Sequence, residues 1–160
     1  MSPADIWVQH HFPNLRNGQY RVTSEDTRDY NCLAWAAGEN DRKWDPNDPD
    51  HHWPDGVLRE QTMPAFIAAY ATCHYVECQD GESEEGFEKI AIYANQRGPQ
   101  HAAKQLNGAW SSKLGDGWDI EHPTLEGIEN SAYGKAVAFM KRPTTFNDPK
   151  LFVNECDYEK

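Results

Sequence analysis

Polar and apolar positions along this chain change rhythm several times, and each change marks an element. Residues 1–30 carry few periodic signals; Phe12-Pro13-Asn14 and Asn17-Gly18 read as turns and Gln19-Tyr20-Arg21-Val22 as a short strand. The first compact apolar run, Leu33-Ala34-Trp35-Ala36-Ala37, is bracketed by Asn31, a good helix N-cap, and Gly38, a common helix stop. It predicts a short helix over 31–37 with Cys32 in its first turn. Residues 39–60 are polar and proline-rich and predict a long loop, of the kind that forms a lid or a cleft wall. Thr62 then caps a helix whose Met63, Phe66, Ile67 and Tyr70 fall at i, i+3, i+4 and i+7, a stripe that belongs to the core.

Beyond that helix the pattern shifts towards strands. Tyr75-Val76-Glu77-Cys78 is a candidate strand, Asp80 to Gly86 an acidic turn, and Phe87 to Ala94 a second strand. His101 to Leu106 and Ala109 to Leu114 flank Asn107-Gly108, the strongest short hairpin signal. Thr124 caps a short helix through Ile128, and Gly134 to Met140, with Val137 and Phe139 alternating, reads as the last strand. The expected fold is α+β: an N-terminal cysteine helix packed on a small antiparallel sheet. Residues 1–142 make one domain, and 143–160 are expected as a C-terminal extension.

Composition narrows the function. At 160 residues, 38% hydrophobic and 12% aromatic, the chain buries a real core and is not globally disordered. No apolar run approaches the roughly 20 residues of a membrane span, and no charged-then-apolar N-terminus marks a signal peptide, so a soluble, cytoplasmic protein without a membrane partner is expected. A net charge of −11 argues against nucleic acid, which selects a basic face, and leaves room for a basic protein partner or a cationic substrate. The cysteines at 32, 73, 78 and 156 form no Cys-x-x-Cys pair, and Cys73 and Cys78 read as ordinary thiols. The aspartates of the 39–60 loop break the EF-hand order, and adjacent His51 and His52 would not share a helix face, so no metal or cofactor is expected.

The candidate chemistry centres on Cys32. A thiol in the first turn of a helix feels its positive end, which favours the thiolate. A cysteine nucleophile also needs a base and a group that orients it. His101 is the candidate base. A two-residue turn at Asn107-Gly108 pairs Leu106 with Ala109, Gln105 with Trp110, Ala103 with Ser112 and His101 with Leu114. Ser112 then stands diagonal to His101 on the same face, able to accept a proton from the imidazole. Asp116 and His122 are the other candidates for that third position. Taken singly, a cysteine in an alanine-rich helix is commonly packing and a histidine at a strand start is commonly surface; it is their order along the chain that favours catalysis.

That order resembles the papain-like cysteine hydrolases, nearest the bacterial cell-wall endopeptidases and the CHAP amidohydrolases. Phe87-Glu88-Lys89-Ile90-Ala91-Ile92-Tyr93 sits where those proteins have their first sheet strand, and His101-Ala102-Ala103-Lys104-Gln105-Leu106-Asn107-Gly108 looks like their histidine strand and turn. Asn31-Cys32 and Ser111-Ser112-Lys113-Leu114-Gly115 look like members of an uncharacterised bacterial family with the same layout, and the likeness covers about residues 28–140. The resemblance implies a thiol amidase or protease with Cys32 as nucleophile, His101 as base and acid, Ser112 at the orienting position, and a peptide or protein substrate, basic ones included. Two departures stand out: a serine where those enzymes usually carry a carboxylate or amide, and Ser24-Glu25-Asp26-Thr27 where papain has its oxyanion glutamine. They support the alternative of a catalytically inactive, acidic binding or immunity-type protein on the same scaffold, with Trp44, Trp53, Trp110 and Trp118 as its aromatic surface. A metal protein using the seven histidines, His10-His11 and His51-His52 among them, is the third reading.

Overall fold

The structure, a computed structural model, describes residues 1–106 and 108–144. Its strands form one antiparallel sheet: β1 Arg21–Val22, β2 Val76–Cys78, β3 Phe87–Asn95, β4 Gly98–Leu106, β5 Ala109–Lys113, β6 Asp119–His122 and β7 Lys135–Pro143. Their spatial order is β1-β6-β5-β4-β3-β7-β2. The helices are α1 Pro3–His11, α2 Cys32–Ala37 and α3 Met63–Ala71, with 3-10 turns at Pro13–Asn17 and Glu126–Ile128. The class is α+β. Strand β7 runs to Pro143, where an extension was expected to begin; residues 145–160 and Asn107 of the hairpin turn lie outside the described residues.

The sheet is covered on both faces. Ile90, Ile92, Ala102 and Met140 pack beneath α2, α3 and the buried Trp44 and Trp53. Ala91, Tyr93, Ala103, Trp110 and Ile120 pack against Val8 of α1, Phe12, Leu15 and Ile128. Residues 88–93 of β3 are therefore buried without interruption, as in any strand with both faces covered. The helix α1 corrects the reading of residues 1–30 as aperiodic. Ser2 caps it, its hydroxyl accepting from the Asp5 amide at 3.1 Å, and Pro3 occupies the first helical turn, where its missing N–H costs nothing. Trp44, Trp53 and Trp110 are buried, which removes the expected aromatic surface.

Three devices hold α2 in place. At its start Asn31 caps the Ala34 amide at 3.1 Å, accepts from the Trp44 amide at 3.1 Å, and donates to the Trp44 carbonyl at 2.7 Å. Along its length, the Tyr70 and Tyr75 hydroxyls donate to the Leu33 and Ala36 carbonyls at 3.0 and 3.1 Å, and Trp35 Nε1 donates to Ser111 Oγ at 3.1 Å. At its end Gly38 turns with φ +95°, and a Cβ there would lie 3.1 Å from Arg142 Nη2. The 39–60 loop is drawn together by Arg59, whose guanidinium donates to the carbonyls of Asp45, Pro46, Asp48 and His51.

Candidate active site

Because Asn31 starts α2 and Trp44 holds Asn31, Cys32 is delivered to β4 at a fixed height. Its sulfur lies among the backbone amides of Ala102, Leu33 and Cys32 itself, within electrostatic reach of the Lys113 ammonium. These groups favour the thiolate, but burial outweighs them and pushes the thiol up to about 11. That corrects the expectation of a lowered pKa at the helix start. Cys32 and Cys78 are free thiols; Cys73, fully buried, is not free, contrary to the reading of it as an ordinary thiol.

His101 stands one residue from the Ala102 amide, on fully buried backbone of β4. The β4–β5 register is the expected one at Leu106↔Ala109 and Gln105↔Trp110, and it continues to Lys104↔Ser111. The paired residues end there, so the strands part beside His101 and Ser112. His101 Nε2 lies 3.1 Å from Ser112 Oγ, Ser112 Oγ lies 2.8 Å from His122 Nε2, and His122 Nδ1 lies 2.9 Å from the Thr124 carbonyl. The Tyr133 ring stacks on the imidazole, centroids 4.1 Å apart and planes 12° apart, while Tyr93 meets it edge-on. Burial holds His101 well below the ordinary histidine value and His122 down to about 4. His101 Nδ1 is buried without a hydrogen-bond partner.

Cys32 and His101 are thus neighbours across the Ala102 peptide, with no hydrogen bond between them. Cys32 packs with the core beneath α2, whereas His101 sits with the tyrosines of the opposite core. Of the candidates for the third position, Ser112 and His122 join His101 in one chain of hydrogen bonds. Asp116 does not: it is ion-paired to Lys43 at 2.8 Å and Arg28 at 3.8 Å, and the Lys43 hydrogen bond lowers its pKa. Ser24 to Thr27 supply no side chain to Cys32 here; the Thr27 carbonyl instead accepts from Lys113 Nζ, as do those of Gly115 and Gly117. Sequence reasoning missed Tyr133 and Lys113. Tyr133 meets His101 from 32 residues away and Lys113 reaches back to the Thr27 carbonyl, so no local spacing announces their place beside the site. Among the described residues no group of three or more His, Cys, Asp or Glu side chains is placed to hold a metal ion, and no helix is long and apolar enough to cross a membrane.

One protein-family model, described as Domain of unknown function (DUF7689), matches residues 21–141. The chain belongs to the DUF7689 family. No curated protein and no solved structure matches it. The DUF7689 span contains Cys32, His101, Ser112, His122 and Tyr133 and leaves α1 outside.

Proposed function

We propose that this DUF7689 protein is a cysteine-dependent hydrolase of amide or peptide bonds, papain-like in layout. Cys32 is the nucleophile, His101 the base and acid, and Ser112 orients His101. The observation that carries the reading is His101 Nδ1: a fully buried ring nitrogen left without a partner, one residue from the amide that faces the Cys32 sulfur. Leaving a buried acceptor unpaired costs about 1–3 kcal/mol, a cost that calls for an explanation, and a catalytic role supplies one. Cys32 and His101 belong to opposite cores, so the reaction requires them first to come into contact; His101 Nδ1 then takes the Cys32 thiol proton as sulfur bonds to the amide carbon. The imidazolium returns that proton to the departing amine, and water then cleaves the thioester. The backbone N–H of Cys32 is available to the developing oxyanion. Because Tyr133 lies on His101 and Cys32 is buried, substrate entry requires the Tyr133 ring to move. A peptide or protein substrate fits this chemistry, and a basic one suits the charge of −11.

A second reading, an inactive acidic binding or immunity-type protein on the same scaffold, is favoured by the burial of Cys32 and its raised pKa. Iodoacetamide labelling with mass-spectrometric mapping separates the two, using half-buried Cys78 as the internal comparison. A hydrolase labels at Cys32 faster than at Cys78 near pH 7, and His101→Ala slows Cys32 alone by about tenfold or more. If Cys32 labels only on unfolding, whatever stands at 101, the catalytic reading is lost. A complex with a basic partner that survives Cys32→Ala would then establish the second.

A further inference from the structure

The buried chain His101–Ser112–His122–Thr124 has a direction, and its far end sets it. A carbonyl oxygen only accepts, so the His122 Nδ1 that lies 2.9 Å from the Thr124 carbonyl carries a proton. His122 is buried and titrates near 4, so at neutral pH it holds only that proton and its Nε2 is bare. Bare Nε2, 2.8 Å from Ser112 Oγ, accepts the serine hydroxyl hydrogen. Ser112 has no second hydrogen. Towards His101 Nε2, 3.1 Å away, its oxygen can only accept, so that nitrogen must be the one protonated. We infer that the Thr124 carbonyl, acting through His122 and Ser112 as positioning residues, holds His101 in its Nε2–H tautomer and leaves the Nδ1 lone pair bare.

The nearest rings do not oppose this assignment: Tyr133 is stacked and Tyr93 edge-on, and His122 is the titratable group that acts on His101 electrostatically. A relay running the opposite way would place an unpaired N–H in the core and no base beside the Ala102 amide. As built, Nδ1 is an acceptor, the form needed to receive a thiol proton. The assignment gains its catalytic meaning from the reading of His101 as the base, but the tautomer is measurable without any reaction.

Long-range 1H–15N correlation spectra of the imidazoles in the full chain at pH 7 provide the test. His101 is expected to show a protonated Nε2 and a bare Nδ1; a protonated Nδ1 in the wild-type protein overturns the inference. Ser112→Ala is expected to move His101 to a mixture of tautomers and to slow Cys32 labelling about a hundredfold. Ser112→Thr, which keeps the hydroxyl, restores both. An unchanged His101 spectrum in Ser112→Ala removes the relay. Should the tautomer follow Ser112 while Cys32 stays inert, the relay stands and the hydrolase falls. Should Cys32 react in a His101-dependent way with the tautomer indifferent to Ser112, the hydrolase stands and the relay falls.

Discussion

Two influences act on the Cys32 sulfur in opposite directions, and they differ in size. A charge at a helix N-terminus gains about 0.3–1 kcal/mol, less than one pK unit, and α2 has only six residues. Burial raises the thiol from 9.0 to about 11, a net change of about 3 kcal/mol after every favourable amide and Lys113 have acted. The same desolvation governs His122, with a consequence for stability. Unfolded, it binds a proton near its ordinary 6.5; folded, not until about 4. Protons therefore favour the unfolded chain across that window. The stabilisation is fully present above pH 6.5, falls as pH drops towards 4, and amounts to about 3 kcal/mol at most. Urea unfolding at pH 7 and pH 4.5 should show wild type losing stability over this range and His122→Gln losing clearly less, although buried His101 adds a slope of the same sign. An identical pH slope in the variant would refute the assignment.

The short helix α2 is marginal in isolation and is made rigid by partners far away in sequence. Asn31 works twice, as N-cap and as the tie to Trp44, so Asn31→Ala removes a cap and leaves two backbone groups of a buried tryptophan to find other partners. A loss of about 2–3 kcal/mol in urea or thermal unfolding is expected. Cys32 labelling should change with it, because the start of α2 sets the sulfur's height against the Ala102 amide. A loss below about 0.5 kcal/mol would show that Trp44 holds the 39–60 loop without Asn31. Arg142 does for the other end what Asn31 does for the start: its guanidinium donates to the Ala37 carbonyl at 3.4 Å and the Cys73 carbonyl at 2.9 Å, binds Glu88 at 2.7 Å and lies over Tyr75.

Taken whole, the molecule is a sheet between two helical layers, and the DUF7689 span accounts for only part of one layer. Val8, Phe12 and Leu15 are almost fully buried against β3, β4 and β5, yet all precede residue 21. Burial of such side chains is worth about 1.5–3 kcal/mol each. A chain beginning at residue 21 is therefore expected to lose about 5 kcal/mol or more, enough to unfold a domain of ordinary stability. Loss of near-ultraviolet circular dichroism and of dispersed amide resonances would report it. A truncated chain that unfolds at the same urea concentration as the whole would show that α1 only decorates the sheet.

Local chemistry in the chain was enough to place α2, α3, the β4–β5 hairpin and its register, because caps, periodicity and turn residues act over a few neighbours. Extending that register predicts Ser112 beside His101, and the side-chain hydrogen bond between them bears this out although the backbone pairing stops at Lys104↔Ser111. The Ser2-Pro3 start of α1 was legible in the same terms, as an N-cap followed by a first-turn proline. Other features had no local signal. That β3 and β4 are covered on both faces, that Trp44 and Trp53 enter the core, and that Tyr133 lies on His101 depend on segments tens of residues apart. The relay joins β4, β5 and β6, so its direction at His101 needs all three strands in place, and the raised pKa of Cys32 is set by its surroundings and not by its place in a helix. Spacing along a chain specifies hydrogen bonds a few residues apart; desolvation depends on everything packed around a group, and that exists only once the layers have closed.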